Sequence, residues 1–231
     1  MIADKVQTRP AFDFYHYDDQ LTDAQRRLQS QIREFVQTVV VPNINPYWER
    51  AEFPHELALR LRELPILGGV LPTEIGGAGL DTLSQGLVIY ELAKGDGSIG
   101  TFYGVHSGLA MTTIGMLGSE EQKARWLPAM SRLEKIGAFG LTEPERGSAA
   151  IDVQTKARRD GNHYVLNGAK RWIGNASIAG VLIVFARDED GKFGAFVVED
   201  PSQVEGVTIE VMQGKIGKRS VMNARIHLEN V

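Results

Sequence analysis

Apolar positions along the chain change period near residue 135. From Leu21 to Leu133 they recur at helical spacing. Thr22 and Gln25 make a capping box ahead of Leu28, Ile32, Val36 and Val40, which lie four apart on one stripe, and Pro42 ends or kinks that helix. Pro54 suits a first helical position, with Leu57, Leu61 and Leu64 on one face behind it. Asp81 caps a helix that carries Leu83, Leu87, Tyr90 and Leu92 and stops at Gly95. Ser98 opens another through Phe102, Val105, Leu109 and Met116, closed by Gly118. Ser119 and Gln122 form a second capping box for a helix bearing Trp126 and Met130.

From Ile136 onward the period is two. Residues 163–166, 181–185, 195–198 and 225–228 read as strands, with turns at Asp160-Gly161-Asn162 and Asp190-Gly191. The pattern predicts an α+β multidomain chain: an N-terminal extension over 1–18, an all-α domain over 19–135, and an all-β barrel or sandwich over 136–231. Internal repeats and low-complexity tracts are absent.

Composition narrows the function. A net charge of −4 with mixed signs excludes the basic face of a nucleic-acid binder. No apolar run approaches the roughly 20 residues of a membrane helix. The chain has no cysteine, which removes disulfides, thiolate metal sites and cysteine nucleophiles and fits a reducing compartment. Asp4, Asp13, Asp18 and Asp19, without an apolar segment, argue against a signal or transit peptide, so the cytoplasm is the expected location.

Two short segments carry the candidate chemistry. Phe139-Gly140-Leu141-Thr142-Glu143-Pro144-Glu145-Arg146-Gly147-Ser148 leaves an apolar strand for a turn rich in hydroxyls and backbone N–H groups. Trp172-Ile173-Gly174-Asn175 puts a large aromatic at a strand end. Together they suit a planar, acceptor-rich ligand. For either segment alone, a hairpin loop whose Thr and Ser bond their own backbone is the simpler reading. Other signals fall away. Gly76-Gly77-Ala78-Gly79 lacks the GxGxxG order. His16, His55, His106, His163 and His227 lack triad or metal spacing. Lys156, Arg158 and Arg159 read as a solvated strand edge more readily than a phosphate site.

These segments, in this order, resemble the acyl-CoA dehydrogenase family. The resemblance runs from about Asp19 to Val231. It takes in the Pro72…Gly76-Gly77-Ala78-Gly79-Leu80 loop, Gly118-Ser119-Glu120-Glu121-Gln122-Lys123, and the closing strand from Asn223 to Val231. Lys170-Arg171-Trp172-Ile173-Gly174-Asn175 looks most like the short-chain acyl-CoA oxidase and glutaryl-CoA dehydrogenase branch.

The resemblance implies an FAD enzyme that desaturates an acyl-CoA thioester, with electrons passing to an electron-transfer flavoprotein or to oxygen, in a homo-oligomer. It implies cofactor contacts from Phe139, Gly140, Leu141, Thr142, Gly147, Ser148, Trp172, Ile173 and Gly174. Substrate contacts would come from Ser148, Phe102 and Val105. The family aspartate after Gly-Ser is Ala149 here, which loosens the loop. The run Gly100-Thr101-Phe102-Tyr103-Gly104 holds no cation, which points to an apolar acyl chain. In the family the catalytic carboxylate comes from a helical bundle after the last strand. The chain ends at Val231, so no catalytic residue is assigned and a missing C-terminal bundle is expected. Two other readings remain: a non-catalytic flavin- or acyl-CoA-binding or partner module, and a flavin-dependent monooxygenase on the same scaffold.

Overall fold

A computed structural model describes residues 16–231. The expected N-terminal extension therefore lies largely outside the described residues, as do Asp4 and Asp13.

Helix α1 (Asp23–Phe35) starts where its capping box predicts: Thr22 Oγ1 accepts from Gln25 N–H, and the Gln25 side chain accepts from Thr22 N–H at 2.9 Å. Past Phe35 the helix widens into a π-turn over Val36–Val40, just ahead of Pro42. Ile32, Val36 and Val40 are buried together. After α2 (Asn45–Arg50), helix α3 (His55–Leu59) begins one residue beyond Pro54, which is its N-cap rather than its first helical residue.

Helix α4 (Thr82–Gly95) is capped by Asp81, whose carboxylate accepts from Ser84 N–H at 2.6 Å. It packs on α1 through Val88 and Leu92, and at its end Gly95 is required: a Cβ would sit 2.5 Å from Val36 Cγ1. Leu83 and Tyr90, placed on the apolar stripe by the sequence, are exposed instead. Buried Glu91 answers Arg33 of α1 with two bonds of 2.7 and 3.2 Å, a helix-packing role.

A continuous rod follows, comprising α5 (Gly97–Tyr103), a π segment (Gly104–Met111) and α6 (Thr112–Leu117). Asp96, not Ser98, caps it, accepting from the N–H groups of Ser98 and Ile99. Helix α7 (Glu120–Ser131) uses the Ser119/Gln122 box.

The β half is a curled sheet. Strand β1 (Gly137–Gly140) runs parallel to β4 (Val181–Arg187), which pairs antiparallel with β5 (Phe193–Glu199). Strands β2 (Lys156–Asp160) and β3 (His163–Ile173) form a hairpin, and β7 (Ala224–Leu228) lies between β3 and β6 (Val207–Val211). Lys156 of β2 meets Arg187 of β4 and joins the two parts. Strand β4 is covered on both faces, which explains its unbroken apolar run. Leu182 and Val184 face the sheet's interior, while Val181, Ile183 and Phe185 pack against Met111 and Ile114 of the rod and Leu127 of α7.

Candidate functional site

Strand β3 carries a bulge: its pairing with β7 shifts register between Lys170 and Ile173. At the bulge Trp172 takes a left-handed backbone, φ 64°. For an aromatic residue that conformation costs on the order of 1–3 kcal/mol and persists only where neighbours hold it. Here they do. Arg171 N–H donates to Thr142 O at 2.8 Å, Asn223 Nδ2 donates to Trp172 O at 3.1 Å, and the Arg171 guanidinium lies 5.3 Å from the indole centroid.

The two sequence segments are thereby brought side by side. The indole is 51% exposed, and its N–H has no partner among the described residues. The hydroxyls of Thr142 and Ser148 likewise bond nothing among the described residues, and Gly147 has open space where a Cβ would point. A half-exposed aromatic ring, accessible hydroxyl donors and an exposed glycine suit a planar, acceptor-rich ring.

Other predicted site residues sit behind this surface. Leu141 is half-buried beside Phe139, whose ring packs 4.8 Å from that of Phe185. Gly140 approaches Ile183 O so closely that a Cβ would lie 3.0 Å from it. Ile173 is buried in the sheet's core, and Gly174 faces Val105, with 3.4 Å between its Cβ direction and Val105 Cγ2. Phe102 is 1% exposed, its ring packed on Phe53 and stacked on His106, so its side chain fills the α core.

Beneath the loop lies a cluster the sequence reading did not assemble. Lys170, fully buried, donates to Leu141 O (3.2 Å), Phe185 O (2.6 Å) and Glu143 Oε1 (2.9 Å). Glu143 also accepts from Gln154 N–H (2.6 Å) and from the N–H (2.9 Å) and hydroxyl (2.5 Å) of Thr155. Burial pushes the Glu143 carboxyl up, but these donors outweigh it and hold it below its ordinary value. Burial also lowers the Lys170 ammonium, and Glu143 partly opposes this. The available signal was register: counting by twos from buried Leu166 puts Lys170 on the inward face of β3.

A second cluster ties the halves together at Gly137. Gly137 N–H donates to His106 Nδ1 at 2.9 Å, so the ring proton sits on Nε2, which donates to Met130 O at 3.0 Å. Burial holds His106 down to about 4, hence neutral. Asn175, left-handed at φ 63°, donates through Nδ2 to Gly137 O at 3.1 Å and to Phe102 O at 3.4 Å. A cleft of about 510 Å³ opens elsewhere, lined by Thr113, Leu117, Trp126, Tyr164 and Phe196 among others, and includes none of the site residues expected from the sequence. Among the described residues there is no cluster of potential metal ligands and no helix long and apolar enough to cross a membrane.

Comparison with known proteins identifies the family. The family model for the acyl-CoA dehydrogenase N-terminal domain matches residues 22–134, and that for the middle domain matches 138–231. The chain belongs to the acyl-CoA dehydrogenase family. A probable acyl-CoA dehydrogenase of Bacillus subtilis is 36% identical over 217 residues, 92% of this chain and 57% of that protein. A short-chain-specific acyl-CoA dehydrogenase of Clostridium acetobutylicum is 33% identical over 93% of this chain and 57% of its own length. Among solved structures, a glutaryl-CoA dehydrogenase from Mycobacterium smegmatis in complex with FADH2 superposes with TM-score 0.88 at 37% identity, covering 94% of this chain and 55% of that one. This acyl-CoA dehydrogenase family chain thus spans about half the length of these relatives.

Proposed function

We propose that this chain forms the flavin-facing wall of an FAD-dependent acyl-CoA dehydrogenase that desaturates an apolar acyl-CoA thioester. One observation carries the reading: the backbone bond from Arg171 N–H to Thr142 O sets the strand end that bears the half-exposed Trp172 indole beside the segment that bears the Thr142 hydroxyl, in a member of this family.

Trp172 and Leu141 offer apolar area to the ring system, and Thr142 and Ser148 offer hydroxyl donors. Gly147 admits close approach, while Phe139, Gly140, Ile173 and Gly174 back the surface from within. FAD, when bound, supplies the hydride-accepting chemistry. The chain's own residues orient and shield; no carboxylate here is assigned to proton abstraction. Glu143 and Glu91, the two buried glutamates, are committed to ion pairs. Val105, half-buried against Gly174, is the side chain best placed to meet an acyl chain, and the adjoining run carries no cation to pair with a distal carboxylate. Electrons would pass to an electron-transfer flavoprotein or oxygen, in a homo-oligomer. The lack of cysteine supports a cytoplasmic setting.

The test is FAD titration of the purified chain, followed by flavin fluorescence. Trp172→Ala and Thr142→Val should each weaken binding by roughly three- to tenfold, the size expected for one aromatic contact or one hydrogen bond. Wild-type affinity in both variants would place the flavin elsewhere.

A further inference from the structure

Loop 212–223 is organised around a lysine. Its ends meet through Met212 N–H donating to Asn223 O at 2.8 Å. Lys215, half-buried, folds its side chain back into the loop and donates to Lys218 O at 2.9 Å, to Val221 O, and to Asn223 Oδ1 at 2.9 Å. An ammonium has three N–H donors, and each finds an oxygen here. No carboxylate lies within ion-pair distance of Lys215 among the described residues, so this is a structural donor set and not one half of a surface salt bridge. Because Asn223 Oδ1 is taken by Lys215, its amide nitrogen must face the other way. It does, donating to Trp172 O at 3.1 Å.

The bond to the Trp172 carbonyl is one of the contacts that hold the left-handed backbone at the bulge. The other side of the bulge is tied by Arg171 to Thr142 O. We propose that Lys215 is a positioning residue for Trp172: through Asn223 it fixes the carbonyl, and so the angle at which the indole is presented to the ligand. The proposal deepens the flavin-wall reading and rests on it for its functional meaning, yet its geometry can be tested without the cofactor.

The experiment labels the protein with 5-fluorotryptophan and records ¹⁹F spectra without FAD. Trp48, Trp126 and Trp172 give three signals, with Trp172 assigned through Trp172→Phe. Lys215→Met should shift or broaden the Trp172 signal and leave that of Trp126 in place. Asn223→Ala should do the same, and the double variant should add little, because both act through one chain of bonds. Arg219→Met is the control. Arg219 anchors the same loop to Trp48 O at 3.0 Å and Glu49 O at 3.1 Å and also donates to the Lys215 backbone oxygen at 3.3 Å, but it does not touch the Lys215 ammonium or Asn223, so its loss should move the Trp48 signal more than that of Trp172.

FAD titration of the same variants separates the two claims. A moved Trp172 signal with several-fold weaker FAD binding supports both. A moved signal with unchanged affinity supports the positioning role and overturns the flavin-wall reading. An unmoved Trp172 signal in Lys215→Met, or in Asn223→Ala where the lysine variant fails to fold, overturns the proposal.

Discussion

Lys170 and Glu143 show how much a single buried pair can matter. Both charges are buried, and they are satisfied by each other, by fixed backbone groups and, for Glu143, by the Thr155 hydroxyl. Lys170→Met would strand a carboxylate inside the sheet and should cost about 3–5 kcal/mol in urea unfolding. Adding Glu143→Gln should recover part of that loss, since the stranded charge goes. The sign of the pH effect follows from the shift. Glu143 titrates lower in the folded protein than in the unfolded chain. Its contribution is therefore present above the unfolded value and lost as pH falls through the lower folded one. Local hydrogen-bond logic was legible in the sequence at this scale: Thr22/Gln25 and Ser119/Gln122 cap their helices as read. The Lys170 cluster was not, because its partners at positions 141, 143, 155 and 185 meet only when three separate segments fold together.

At the scale of elements, the rod of α5 and α6 departs most from its sequence pattern. Over Gly104–Met111 the backbone widens, and the 3.6-residue count that put Val105, Leu109 and Met116 on a buried stripe no longer holds. His106, Ser107, Ala110 and Met111 turn inward instead. That rotation delivers His106 to the junction, where it joins the rod to β1 and α7. With the histidine depressed from 6.5 to about 4, the unfolded chain binds a proton in that window that the folded protein does not. Stability should therefore fall as pH drops from 6.5 toward 4, by about 3 kcal/mol from this group at most. Urea melts across that range should show a steeper slope for the wild type than for His106→Gln. Equal slopes would mean that the histidine does not stay neutral in the fold.

For the whole molecule, the change of period near residue 135 was enough to read an α half followed by a β half. The strand order was not readable, because the parallel β1–β4 pair and the β2–β4 junction join residues distant in sequence. The rod's end bears on assembly. Met116 and Leu117 are 73% and 70% exposed at the turn into α7, and Ile151 and Ile216 also stand in solvent. Side chains of that size, left wet on a chain of net charge −4, favour contact with another apolar surface over mutual repulsion. Light scattering should therefore give a mass that rises with protein concentration, in line with the proposed homo-oligomer. Met116→Glu with Leu117→Lys should shift the rise to higher concentration while leaving far-UV circular dichroism unchanged, because neither side chain belongs to a core. A monomer mass at every concentration in the wild-type chain would show that this apolar end has no affinity for a second copy.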